Sequence, residues 1–423
     1  MNRLSWTFLA LLSSGKLFLM PDQGLAVLLR RPDRRVVVTA LGVTQILAWG
    51  STFYLIGVLA HPIDSDTDWG YDWIIGGVTV ALLIASVVSP WVGRAIGRWG
   101  GRPVLAASSV VLAAGLLVLG CSPSVAWYLI AWLILGLGMG AGLTDAAFST
   151  LGGIYGDEAR SAITSLTLFA GFASTICWPL TAYFVEYLGW REACFIYAAI
   201  QLVISLPILL FALPRHSSAA PRSDEASLSR ITLEPDERVT FALTATVLTL
   251  STAILAIMGI HLLPLLAARG LELATAVGLG AIVGPAQVGA RVVEMLVGRH
   301  YHPIWTMIAS AVLVAVGAVL LLWDLPIYAL AIVLYGAGNG IGSVARGTLP
   351  LALFGPLQYP ALMGRLAVSI LMSMALAPLF AAVVFEEKGA ELTFGLIAFL
   401  AAANVFFVGA LFMLYRRRSA ATN

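Results

Sequence analysis

Four ionisable residues, Asp145, Arg291, Glu294 and Arg346, stand inside long apolar stretches. An ionised side chain at mid-membrane depth costs about 2.5–3.5 kcal/mol on insertion scales, so such residues mark ion pairs, substrate sites or proton pathways. Arg291 and Glu294 are three residues apart, close enough on one helix face to neutralise each other. They belong to a polar and small face, Gly280, Gly284, Gln287, Arg291, Glu294 and Gly298, that follows the i, i+3, i+4 pattern. Asp145, Glu294 and His261 are the candidate proton carriers, because a carboxyl or imidazole taken out of water titrates under the control of its neighbours. His261 is expected near the periplasmic end, where water reaches it.

Uncharged polar residues add to this set. Gln45, Trp49 and Thr52 share one helix face with Tyr54 nearby; Thr249, Ser251 and Thr252 lie in a second helix, Tyr335 and Asn339 in a third. Together they imply a cavity with hydrogen-bonding groups and aromatic walls. The four charges sum to zero, which suits a neutral, zwitterionic or singly charged small molecule better than a strongly anionic one. Cys121, Cys177 and Cys194 have no metal-ligand spacing and no disulfide framework. Soft thiols suit trivalent metalloids, so Cys177 and Cys194 keep metalloid efflux as an alternative. No resident metal and no cofactor are expected.

Other chemistries find no support. The chain has no phosphate-binding P-loop, no His-rich metal site and no convincing Ser/His/Asp set, so it does not read as an enzyme or as directly ATP-driven. Its arginines are scattered over loops with no basic face interleaved with aromatics, which argues against nucleic acid. A receptor or scaffold that transports nothing is a further alternative, but it would need little polarity inside the spans.

The elements that must position these residues follow from composition. Of 423 residues, 60% are hydrophobic and 11% charged, and the mean hydropathy is +0.93. A soluble domain could not hide that much apolar surface. Crossing about 30 Å of hydrocarbon takes roughly 20 apolar residues as helix. Twelve such stretches are present, at 36–60, 73–93, 103–121, 126–153, 162–185, 193–213, 239–265, 273–298, 304–323, 327–350, 362–385 and 392–415. The polar segment 214–238 divides them into six and six and reads as a cytoplasmic linker. Residues 1–35 read as an extension outside the fold, 36–213 and 239–418 as two six-helix bundles, and 419–423 as a tail.

Arginine placement orients the chain. With the N-terminus in the cytoplasm, Arg30, Arg31, Arg34, Arg35, Arg94, Arg98, Arg102, Arg160 and Arg416 to Arg418 fall inside, as do Arg215, Arg222, Arg230 and Arg238 of the linker. Arg191, Arg269 and Lys388 fall outside, and the loop after the first span carries Asp64, Asp66, Asp68 and Asp72. Both termini are therefore expected in the cytoplasm.

The two halves are related. Gly136, Gly138, Gly140 and Gly142 return 200 residues later as Gly336, Gly338, Gly340 and Gly342. Ser51 and Thr52 match Ser251 and Thr252, His61 matches His261, Pro103 matches Pro303, and Gly189 matches Gly389. Alternate glycines of each ladder lie on nearly opposite helix faces, giving two small-xxx-small ridges that allow close packing on two sides. Duplicated helical halves are an architecture of secondary transporters, which bind solute between the repeats and expose it to each side in turn.

Gly93, Gly97, Arg98, Gly100, Gly101 and Arg102, between the second and third spans, resemble the signature loop of the major facilitator superfamily. Gly97 stands where the family has an acidic residue, and Gly101 replaces one of its basic pair. Leu188-Gly189-Trp190-Arg191 also resembles the family, and Gly171 with Pro179 resembles, at wider spacing, its antiporter motif. The overall look is of a bacterial branch near the monocarboxylate-transporter and small-molecule efflux groups. The resemblance implies an all-α membrane fold of 12 transmembrane helices, in which helices 1, 4, 7 and 10 line a central cavity. It therefore implies that Asp145 and Arg346 face each other across the halves as a cytoplasmic-side gate. It also relates Arg291 to a basic residue that binds anions in some carriers of the family. The expected activity is proton-coupled efflux of a small organic or toxic compound across a bacterial inner membrane by a monomer. A monocarboxylate or organic-anion carrier is the runner-up.

Overall fold

The computed structural model describes residues 33–214 and 235–422. Most of the expected extension (1–35), most of the expected linker (214–238) and the last residue of the expected tail lie outside the described residues. The described chain is helical, with no strand.

Helix α1 runs over Arg34–Gly50, turns irregularly through 51–55 and resumes over Ile56–Thr67. Helices α2 (Tyr71–Trp99) and α3 (Gly101–Gly120) follow. α4 has two parts, Val125–Gly142 and Thr144–Tyr155, as does α5, Ala159–Ala170 and Ala173–Leu188. α6 comprises Trp190–Ile200, a π-helical turn at Gln201–Ser205, and Leu206–Ala212. The second half holds α7 (Pro235–Ala268), α8 (Leu273–Val297), α9 (Pro303–Leu322) and α10 (Tyr328–Phe354). A last stretch, Tyr359–Thr422, is broken at Gly389 into α11 and α12.

Nine helical stretches among the described residues are long and apolar enough to cross a membrane. The last of them contains the break at Gly389, and α1 and α5 escape that count because turns divide them. Most helices outrun their apolar stretches, as α2 does at both ends, because their ends reach headgroups and water.

The sequence expectation of an unbroken fourth helix is corrected. Leu143 is extended (ψ −170°), which ends one helix and begins another. The Gln45 amide donates to the Gly142 carbonyl (2.7 Å), while the Ala146 and Ala147 amides bond to the Leu143 carbonyl. Asp145 therefore sits in the first turn of a new helix.

The duplication is visible in local geometry. Gly189 (φ +105°) and Gly389 (φ +81°) both take the left-handed conformation that a side chain would oppose, and each joins two spans. Gln201 of α6 donates to Ser51 of α1 (2.9 Å), and Asn404 of α12 donates to Ser251 of α7 (3.0 Å). The same bond between first and last helix recurs in each half.

The apolar core shows how the halves meet. One cluster joins both, packing Phe148, Leu151 and Ile163 with Ala345, Leu349, Tyr359 and Leu366 at the arginine-rich end. A second lies in the first half, with Ala367, Leu371 and Ala375 of α11 against it, and a third lies in the second half. Ala159–Ala170 packs on α1 and also on α8 and α10 of the other half, whereas the outer part of α5 packs on α1 and α6 of its own half. The halves are thus fastened at the arginine-rich end and along α2 and α11.

Candidate functional site: the charged floor between the halves

The glycine ladders set how closely the lining helices approach their neighbours. A Cβ on Gly136 would lie 2.6 Å from the Ala81 carbonyl of α2, and one on Gly140 would lie 2.6 Å from Val88. Gly138 and Gly142 instead meet Leu112 and Ser108 of α3. In α10 the arrangement repeats, with Gly336 and Gly340 against α8 and Gly338 and Gly342 against α9. Each ladder presses one helix between two others, which fixes where Asp145 and Arg346 emerge.

Those two residues meet across the halves. Arg346 Nη2 donates to Asp145 Oδ2 at 2.6 Å and Nε to Oδ1 at 3.1 Å, a bidentate pair. Both side chains are largely buried, 20% and 14% exposed. The pair lies about two to three turns from the arginine-rich ends of α4 and α10.

Arg291 and Glu294 do not pair, which corrects the expectation from their spacing. Glu294 accepts from Thr306 of α9 (2.7 Å) and lies 3.9 Å from Arg160. Arg291 turns the other way, into the seam between halves. It donates to the Thr167 carbonyl of α5 (3.1 Å), to Ser343 (3.0 Å) and, more loosely, to the Gly340 carbonyl and Gln287. A Cβ on Gly171 would lie 2.6 Å from Arg291 Nη1, so the guanidinium fits because α5 has a glycine at its break. Arg291 is 8% exposed. Among the described residues no carboxylate lies within ion-pair distance of it. With Asp145 held by Arg346 and Glu294 beside Arg160, the local balance at the floor is cationic.

Around this floor the other expected residues divide. Trp49 donates to Thr144 Oγ1 (3.0 Å), so Gln45 and Trp49 both fasten α1 to the break in α4. Gln45 Oε1 is buried with no hydrogen-bond partner among the described residues. Thr52 is fully buried and bonds back to the Ala48 carbonyl (2.6 Å), which takes it off the face it was expected to share. Asn339 is half-buried on α10, one turn before Ser343. His261 is not wet: it is buried, with Nε2 2.9 Å from the Pro378 carbonyl of α11. Thr252 bonds within its helix and Tyr335 packs in the core of the second half. Cys177 and Cys194 are both buried in the first half.

The signature loop lies at the fastened end. Gly93 packs on α11, Gly100 (φ +79°) makes the corner between α2 and α3, and Arg98 is exposed beside Trp99. Arg102 is half-buried at the start of α3.

Sequence reasoning missed Thr167, Ser343, Thr306 and Arg160 as partners of the charged floor, and Trp178 as a wall. Tyr54 stacks edge-on with Trp178 (5.9 Å) and Phe53 (5.5 Å) and at a tilt with Trp49 (6.1 Å). Trp178 Nε1 donates to the Tyr54 carbonyl (3.2 Å). A cavity of about 500 Å³ opens beside them, lined by Gly57, Val58, Thr175, Trp178, Pro179 and Ala182.

Residues 41–300 match the family model of the Major Facilitator Superfamily. Among solved structures, the human organic anion transporter MFSD10 (TETRAN) is 17% identical, with a TM-score of 0.71 over 89% of this chain and 100% of that one. FucP, a Major Facilitator Superfamily transporter in the outward conformation, is 15% identical, with a TM-score of 0.69 over 88% and 98%. The E. coli fucose:proton symporter FucP, in a variant form, is 16% identical, with a TM-score of 0.66 over the same shares. At these identities the likeness is one of fold. No curated protein matches the sequence.

Proposed function

The chain belongs to the major facilitator superfamily, and on that premise we propose that it carries a small organic anion by alternating access between its two halves. The observation that carries this reading is Arg291, a buried guanidinium held, among the described residues, by neutral oxygens alone. Burying a charge without a counter-charge is costly, and a substrate carboxylate would supply what the protein omits. A hydrogen bond to a charged group contributes about 1.5–3 kcal/mol, roughly ten- to a hundredfold in affinity. The organic anion, the runner-up of the sequence reading, therefore becomes the favoured substrate among the small organic or toxic compounds expected. It is singly charged because the floor offers one uncompensated cation.

The same residues supply a gate. In the described state the arginine-rich end is shut by the Asp145–Arg346 pair and by Arg291 on the Thr167 carbonyl. Substrate bound to Arg291 competes with that carbonyl and weakens one contact between halves. A proton on Asp145 removes the charge that holds Arg346 and weakens the other. If the arginine-rich end is cytoplasmic, a proton arriving from the outer side frees the inner end, which then loads anion from the cytoplasm. That order of events gives proton-coupled export across a bacterial inner membrane.

The test is counterflow in proteoliposomes of the purified chain, with labelled carboxylates, amines and sugars. Carboxylates should exchange, and Arg291→Gln should weaken them at least tenfold while Arg291→Lys retains a part. Exchange of amines or sugars alone, indifferent to Arg291→Gln, would sink the reading.

A further inference from the structure

The floor fixes a head group, and the wall beside it speaks to the rest of the molecule. Arg291 Nη1 lies against Gly171, four residues before Thr175 on the same α5, and Thr175 lines the cavity that Trp178 walls beside Tyr54. From Tyr54 an aromatic surface continues without interruption to Trp178, which is half exposed and forms one side of the roughly 500 Å³ cavity between α1 and the outer part of α5. That cavity is built from Gly57, Val58, Pro179 and Ala182, with Thr175 and the Trp178 indole as its side-chain polar groups. The indole N–H is already committed to the Tyr54 carbonyl. Gly57 keeps the space open, since a Cβ there would meet only Trp178, at 3.6 Å. A two- or three-carbon acid would occupy the floor alone and leave this apolar volume to water. Volumes of a few hundred Å³ with apolar walls and a few fixed polar groups are those that take drug-sized ligands.

We infer that the carrier selects amphipathic anions, carboxylates bearing a flat hydrocarbon body, with the head on Arg291 and the body against Tyr54 and Trp178 in the α1–α5 cavity. The inference rests on the organic-anion reading and narrows it. Flat bodies are favoured because the exposed Trp178 face and the Tyr54 ring offer stacking and edge contacts to an aromatic partner. The head supplies charge and the body supplies area, so affinity should climb with hydrocarbon size until the cavity is full.

The experiment measures equilibrium binding of acetate, 1-naphthoate and the neutral 1-naphthylmethanol to the full chain in nanodiscs, with protein-free nanodiscs subtracted for lipid partition. The wild-type chain should bind naphthoate on the order of a hundredfold more tightly than acetate. Gly57→Leu and Ala182→Phe, which fill the cavity, should each reduce that naphthoate-to-acetate ratio tenfold or more. Trp178→Ala removes the wall without adding bulk and should cut the same ratio, which keeps the test in force should a filling variant fail to fold. A wild-type ratio near one, or a ratio the folded variants leave unchanged, overturns the amphipathic preference and leaves the anion reading intact. Naphthylmethanol bound as tightly as naphthoate, with Arg291→Gln affecting neither, overturns the anion reading itself.

Discussion

Gly93 of α2 and Gly364 of α11 meet backbone to backbone across the two halves. A Cβ built on Gly93 would lie 2.5 Å from the Pro360 carbonyl and 3.0 Å from Gly364 Cα. One built on Gly364 would lie 2.5 Å from the Ser89 carbonyl and 3.0 Å from Gly93 Cα. Backbone cannot rotate aside as a side chain does, so a larger residue at either place must push the halves apart at the arginine-rich end. Overpacking of this kind costs about 1–3 kcal/mol, and about 1.4 kcal/mol shifts a two-state equilibrium tenfold. Gly364→Val should therefore populate a state open at that end. Spin labels at Ser161→Cys and His300→Cys in a Cys121→Ser background, which flank the seam, should show a new and longer distance. An unchanged distance distribution would mean that the contact does not govern closure.

The pair between Asp145 and Arg346 makes a second, sharper prediction. Removing one member of a buried pair leaves the other uncompensated, at about 3–5 kcal/mol where burial is complete and less at this partly exposed position. Asp145→Arg and Arg346→Asp should each lose exchange, and the double variant should regain it, because the pairing is restored with its ends reversed. Asp145→Asn should also abolish anion-dependent proton movement into vesicles. Failure of the double variant to recover any exchange would remove the gate. Anion flux in the wild type without proton movement would remove the coupling.

How much of this could be read from sequence differs by residue. The Asp145–Arg346 contact was legible because the family resemblance implies that helices 4 and 10 line one cavity, and both residues stand close behind matching glycine ladders in those helices. The ladders were legible because small residues at i, i+4 leave few alternatives to close packing. The pairing of Arg291 with Glu294 failed because i, i+3 spacing permits a contact without compelling it, and Thr306 and Arg160 offered Glu294 better partners. The breaks at Leu143 and at Gly171 with Phe172 also went unseen. Hydropathy averages over a whole span, and a broken helix that lines a cavity remains as apolar as an intact one. Those breaks admit Gln45 to the Gly142 carbonyl and Arg291 to the Thr167 carbonyl, so the polar floor was legible as residue types and not as partners.

His302 ties the stability of the fold to pH. It caps α9, its Nδ1 accepting from the Ile304 amide (3.2 Å) while the ring stacks on Tyr415 at 4.3 Å. Burial, helped by nearby Arg160, holds its pKa below the ordinary histidine range. A histidine with a lowered folded pKa binds fewer protons when folded, so stability is complete above about pH 6.5 and declines as pH falls toward the lowered value. Protonation also destroys the acceptor that caps the helix. Melting temperature should therefore drop between pH 7 and 5, and His302→Asn, which keeps a capping acceptor without titrating, should flatten that drop. An equally steep decline in the variant would place the sensitivity elsewhere.

Arg160 closes the arginine-rich end by geometry more than by charge. Its two terminal nitrogens donate to the Gly298 carbonyl (2.6 Å) and the Tyr301 carbonyl (2.5 Å), capping the end of α8 from the other half, while Glu294 stands at 3.9 Å. A planar fork reaches two carbonyls at once, whereas an ammonium ion approaches as a point. Arg160→Lys keeps the attraction to Glu294 and gives up the simultaneous caps, and Arg160→Ala gives up both. If the carbonyls matter most, the lysine variant should behave nearly like the alanine one, each raising the population open at the arginine-rich end about tenfold for a loss of about 1.5 kcal/mol. Accessibility of a cysteine at Ser343, read with a membrane-impermeant thiol reagent, measures that population. Closure fully retained by Arg160→Lys would assign it to the ion pair with Glu294, and the carbonyl caps would then have no part in the gate.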